Sequence, residues 1–297
     1  MKNAVRDGAR SDAVSARKRP RRTGTKLLVF LVILGGLLAA ADFGFAAVAE
    51  HQVSQQTRKQ LNLKDDPAVT IHGFPFTTQA LSGDYEHITL SADGVAVQDT
   101  LRNLHLMAEL RDVTAPLNDV LAGNTDAIEI GELEGIVKIR QRDIGRLIKL
   151  PNLDIEPAAE DYVKSGDNKD KVSVKDLDKR RDAMDDFPST AGIRLAASTR
   201  IAGSDTEIVA YAILTLTDTS VAVDPRRLEI GHQNGTTVVP PMVRQNLLPQ
   251  FRTTISPGSL PFNVRPSGVA VQQGAVIVQG KANNVTFADG AGLTSLN

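Results

Sequence analysis

The sequence predicts an α+β protein: one transmembrane helix, a polar helix continuing out of it, and then a domain built mostly of antiparallel strands. Three observations carry that prediction. A basic stretch runs straight into an apolar one between residues 1 and 49. Apolar positions then recur every four residues. From Val69 onward the period falls to two, the mark of strands with one buried face.

Residues 1–26 hold nine Lys/Arg against two acids, with no aromatic residue and no helical period. They read as a basic cytoplasmic arm suited to an anionic membrane surface. Residues 27–49, LLVFLVILGGLLAAADFGFAAVA, carry a single charge, Asp42. About 20 apolar residues span a hydrocarbon core, and positive charge stays inside. The expected arrangement is a single-pass cell-membrane protein with its N-terminus cytoplasmic and residues 50–290 extracytoplasmic. The alternative is a cleaved signal with apolar region Leu27–Leu38 and cleavage at Ala39-Ala40-Ala41 or Ala47-Val48-Ala49, leaving a secreted domain.

Phe45, Ala49, Val53, Thr57 and Leu61 recur every four residues among polar neighbours and predict an amphipathic helix leaving the membrane. Strands follow at Val69–Ile71, Tyr85–Ala92, Leu101–Leu110, Leu133–Gln141, Ile193–Arg200, Thr206–Asp218, Gly268–Gln272 and Ala275–Ala282, each alternating apolar and polar. Ser82-Gly83-Asp84, Ala92-Asp93-Gly94, Gly203-Ser204-Asp205 and Gln273-Gly274 read as turns. Short helices are expected at Arg142–Leu150 and, after Pro240-Pro241, at Met242–Phe251. Residues 160–190 are crowded with charge and read as a solvated insertion, helical in part at Lys175–Met184. Residues 291–297 are a tail. Gly94-Val95-Ala96-Val97-Gln98 recurs as Gly268-Val269-Ala270-Val271-Gln272, a faint hint of two similar strand units.

Composition removes several chemistries. With no Cys, thiol catalysis and Cys-ligated metals are excluded, and with no Trp and 4% aromatics the core is aliphatic. Beyond residue 26 the chain is acidic, net −8, which argues against nucleic acid. No G-x-S-x-G, H-E-x-x-H, P-loop or G-x-G-x-x-G occurs, and the adjacent acids Asp65-Asp66 and Asp185-Asp186 read as solvated loop residues. His72, His87 and His105 fall on three successive strands, all on the polar face by parity. A meander bringing them together would make a metal site, but solvent-facing positions explain them more cheaply. The expectation is no catalytic residue, no metal and no cofactor. What remains is aliphatic surface on many strands, which either closes on itself as a packed core or curves around an apolar cavity. Periodicity does not separate the two.

The stretch Val69–Val95, VTIHGFPFTTQALSGDYEHITLSADGV, is the most characteristic of the chain. Its Gly73-Phe74-Pro75-Phe76, Gln79, Gly83, Tyr85, Ile88 and Leu90, with Leu260-Pro261-Phe262 and Gly268-Val269 near the end, resemble the LmeA-like phospholipid-binding family of actinobacteria, formerly a domain of unknown function. The likeness runs over about residues 43–287, and the charged 160–190 segment is longer than that pattern suggests.

The resemblance implies an envelope protein whose partner is phospholipid or another acyl-chain lipid. It also implies a long twisted antiparallel sheet wrapped around the N-terminal amphipathic helix, as in tubular lipid-binding proteins. The family's namesake is linked to mannan elongation on lipoglycans, a role in envelope biogenesis that does not transfer by likeness alone. A cavity of this kind would be walled by Ile88, Leu90, Leu104, Leu106, Val137, Ile139, Ile208, Ala210, Ala212, Leu214 and Leu216, the small alanines leaving room. Phe74 and Phe76, placed on one face by parity, would line its mouth, dip into the interface or plug the sheet end. The competing functions are an envelope scaffold with a filled core and, against the absence of an acid pair or triad, an enzyme on lipid-linked glycans.

Overall fold

The computed structural model describes residues 23–60, 62–97, 101–116, 118–119, 124, 127–150, 152–165, 187–201, 204–232, 235–239, 242, 245, 247–255 and 264–286. The expected basic arm up to residue 22, the helical part of the charged insertion, Pro261-Phe262 and the 291–297 tail lie outside these residues. The chain divides into two units, Met1–Asp42 and Phe43–Asn297.

Helix α1, Thr23–Gln60, is continuous through the apolar run and the polar repeat. It is the one helix among the described residues long and apolar enough to cross a membrane. Successive side chains from Phe30 to Ile33, which point in all directions around a helix, are exposed. A helix apolar all round and uncovered by protein suits lipid rather than water.

The second unit is mainly strand. Strands β1 (Ala68–His72), β2 (Asp84–Val97), β3 (Leu101–Thr114) and β4 (Glu129–Arg140) run as an antiparallel meander. Strands β11 (Arg265–Gln272) and β12 (Ala275–Thr286) complete a six-stranded sheet in the order β1-β2-β3-β4-β12-β11. A second antiparallel sheet holds β5 (Asp154–Ala158), β6 (Thr190–Ile201), β7 (Ser204–Leu216), β8 (Val221–His232) and β10 (Thr253–Ile255), with β9 (Gly235–Val238) pairing on β8. The helices are short: α2 (Phe76–Ser82), α3 (Gln141–Leu147) and α4 (Glu160–Ser165). Within the helix expected over Met242–Phe251, the described residues Met242, Gln245 and Leu247 are helical, and Leu248–Phe251 follows as a 3-10 turn.

Two features correct the expectation of one long sheet around a helix. There are two sheets, and a single core draws on both: Leu104, Val137, Ile139, Val276 and Val278 from the first, and Ile193, Leu195, Ile208, Ala210, Leu214 and Leu228 from the second. Each sheet has one aliphatic face, so each covers the other, and the helix is not needed as filling. Consistently, Phe45, Val48 and Val53 of α1 stay exposed. The helix instead runs beside the edge strand β1. Ser54 Oγ donates to the Pro67 carbonyl at 2.6 Å, and Glu50 Oε1 accepts the Ile71 N–H at 2.8 Å, so an otherwise open sheet edge is partly capped.

Two local departures have clear causes. Ala92-Asp93-Gly94 is not a turn. It is a bulge inside β2, with Gly94 at φ +73° and the register shifting between Asp93 and Val95. Strand β8 contains Pro225, which cannot donate to a ladder. Its register with β7 slips at Tyr211/Ala212, where Ala212 faces Pro225 and Tyr211 faces Arg227, so Arg226 is the extra residue.

Candidate functional site

The apolar face of the first sheet is laid out by its register. Five cross-strand rows stack along the strands. Val113, Ile130 and Val285 form one end. Next come Ile71, Ile88, Leu110, Leu133 and Ala282, and then Val69, Leu90, Ala108, Gly135 and Gly280. The fourth row is Ala92, Leu106, Val137, Val278 and Val269, and the last holds Val95 with Leu104 and Ile139 with Val276.

The middle row decides the shape of this face. Its centre is Ala108 beside Gly135, the two smallest side chains available. A Cβ built on Gly135 meets only the Met107 carbonyl oxygen, at 3.8 Å. The face above Gly135 is therefore open. At the next strand the space closes, because a Cβ on Gly280 would lie 2.4 Å from Val264 Cγ1. The buried residues divide at the same place. Leu104, Val137 and Ile139 belong to the main core, whereas Val113, Ala115, Ile130 and Leu133 form a separate cluster flanked by Tyr85, Ile88, Ala108 and Leu110. The small Ala108 and Gly135 thus leave a local apolar space, the trough, on β3 and β4 between the two clusters.

The predicted wall residues sort by burial around this trough. Leu104, Val137, Ile139, Ile208, Ala210, Ala212 and Leu214 are sealed in the main core. Ala210 and Ala212 leave no room: both have no exposed surface. Ile88, Leu90, Leu106 and Leu216 are half-buried. Ile88 packs against the smaller cluster, and Leu90 and Leu106 against the main one, so these three border the trough. Ala108, Leu110 and Gly135 lie on the same face and were not among the expected wall residues. Ala108 and Leu110 continue the parity of Leu104 and Leu106, a signal that was present; Gly135 carried none.

The Phe-Pro-Phe pair does not share a face. Strand β1 ends at His72 and Gly73 turns at φ +103°, which breaks the parity. Phe76 opens α2 and is buried, 6.3 Å from the Tyr85 ring. Burial holds the Tyr85 phenol above its usual pKa. Phe74 is exposed and stacks on Phe43 of α1 with ring centroids 5.8 Å apart. Gln79 ties the corner together: its Nε2 donates to the His72 carbonyl at 3.2 Å and its Oε1 accepts the Glu86 N–H at 3.2 Å.

The three histidines are not gathered. His72 and His87 stack at 4.5 Å, with His87 Nε2 3.6 Å from Glu109. His105 instead pairs across the bulge with Asp93, which also binds Arg140. Among the described residues no group of three or more His, Cys, Asp or Glu is placed to hold a metal.

The family model for LmeA-like phospholipid-binding proteins matches residues 40–281, most of the chain. No curated protein and no solved structure is a significant match. The chain belongs to the LmeA-like phospholipid-binding family.

Proposed function

We propose that this member of a phospholipid-binding family is a non-catalytic holder of lipid acyl chains in the cell envelope, tethered by α1 with the N-terminus cytoplasmic and the strand domain outside. The observation that carries the reading is the open face above Gly135, floored by Ala108 and bordered by Leu90 and Leu106. An acyl chain laid there transfers methylenes out of water, each worth about 0.8 kcal/mol. No polar group needs to be desolvated along the row, so binding selects chain rather than chemistry at this position. The headgroup would remain toward solvent or the bilayer surface.

The test uses the full chain and a phospholipid with a photoactivatable acyl chain. Adducts are expected on β2–β3 peptides carrying Leu90 and Leu106. Gly135→Leu fills the trough at an extended position where a Cβ has space, and should abolish those adducts while leaving the unfolding midpoint unchanged or raised. Adducts confined to α1, or unchanged by Gly135→Leu, would sink the proposal.

A scaffold with a filled core has one observation in its favour: on the second sheet Leu195, Ala210, Ala212, Leu214 and Leu228 are all buried in the main core. That sheet suits support or partner binding more than lipid.

A further inference from the structure

Three contacts fix how the chain from Pro67 to Phe74 lies along α1. Ser54 meets Pro67, Glu50 meets Ile71, and Phe43 meets Phe74. The order is antiparallel: as the strand advances, its partner steps back toward the N-terminal end of the helix. Glu50 is the first charge after the apolar run, which ends at Ala49. Phe43 lies seven residues before Glu50, about 10 Å along a helix rising 1.5 Å per residue.

Phe74 therefore reaches the level of a residue inside the apolar run. Both rings of the stack remain open, Phe43 at 66% and Phe74 at 62% exposure, and Leu81 on α2 of the same corner is 80% exposed. Large apolar side chains at a turn are costly to leave in water, and three in one corner next to an apolar helix call for an apolar surround. Gln79 fixes this corner rather than leaving it free to fold away.

We infer that the Gly73-Phe74-Pro75-Phe76 corner is a second membrane contact, inserting Phe74 and Leu81 into the outer-leaflet interface of the bilayer beside α1. The inference rests on the retained-anchor reading but not on lipid in the trough. It holds the domain at a fixed height, as an interfacial aromatic does, and it sets the β1–β2 edge of the first sheet close to the lipid supply.

The chain has no Trp, so a single introduced indole reports one position. The full chain carrying Phe74→Trp, and separately Leu81→Trp, is placed in phosphatidylcholine vesicles with bromine on the upper acyl carbons. Both indoles should emit to the blue and lose most of their emission to bromine, whereas exposed Thr254→Trp on the second sheet should not. The Gly135→Leu background separates the two proposals. Quenching that persists there reports the bilayer, even if no lipid enters the trough. Quenching that disappears there reports a trough lipid and overturns the inference, as does water-like, unquenched emission from both probes.

Discussion

Gly73 and Gln79 hold the corner at the end of β1 through space that only glycine leaves. A Cβ on Gly73 would sit 2.6 Å from Gln79 Nε2, and its φ of +103° is a conformation L side chains rarely adopt. The Gln79 amide needs that space to bridge His72 and Glu86. Gly73→Ala should therefore cost about 1–2 kcal/mol from backbone strain alone, with further loss if the amide is displaced. Denaturant unfolding of the full chain measures it, and Gly94→Ala serves as the reference. Gly94 also has positive φ, but its nearest neighbour is Asn103 Oδ1 at 3.8 Å. A Gly73→Ala loss no larger than that of Gly94→Ala would show that the Gln79 clasp contributes nothing. The same residues explain why the motif reads as it does: Gly73 opens the space, Gln79 fills it, and Gly83, at φ +82°, ends α2 so that Tyr85 can meet Phe76.

Among the elements, α4 is small but well anchored. Val163 is buried, and Tyr162 donates to Glu229 at 2.8 Å with Arg227 over its ring. Burial first, and then the bond to Glu229, raise the Tyr162 pKa, while the Arg227 charge opposes them. Glu160 accepts from Lys164 at 2.7 Å and from Thr190 of β6 at 2.9 Å. The Lys164 bond, ahead of the one from Thr190, holds its carboxyl below the usual range although burial opposes. A depressed folded pKa stabilises the ionised form, so this contribution is complete above the ordinary carboxylate pKa and is lost as pH falls through the folded value. Protection of the Val163 amide, which bonds the Ala159 carbonyl, should fall in that acid window once the intrinsic pH dependence of exchange is divided out. Glu160→Gln should remove the pH dependence, and a window unchanged by it would assign the effect elsewhere. Elements with one apolar face were legible in the sequence: β2, β3, β4, β6, β7 and β12 follow from alternation alone. Strands β5 and β8 were not, because Pro157 and Pro225 argue against pairing until an edge and a bulge accommodate them. The trough was not legible either. Alternation says which residues share a face, but which part of that face the second sheet leaves uncovered is decided by packing between strands distant in sequence.

At the scale of the whole strand unit, Leu214 and Leu106 are under opposite demands. Leu214 has no exposed surface and lies in the core shared by both sheets. Leu214→Ala should cost about 2–5 kcal/mol, and Leu214→Trp should unfold the domain by overpacking rather than block a ligand. Leu106, half-buried beside the trough, has fewer neighbours to lose. Leu106→Ala should cost less than Leu214→Ala yet weaken lipid retention more. A ligand that binds only the folded chain raises its stability in proportion to the logarithm of its concentration over Kd. Added phospholipid should then raise the unfolding midpoint of the native chain and of Leu214→Ala equally. The rise should shrink for Leu106→Ala and vanish for Gly135→Leu. Midpoints that move together in all four proteins would place the lipid on α1 and leave the strand domain as packed scaffold. Midpoints that separate in this order would locate the lipid where the register puts Ala108 beside Gly135.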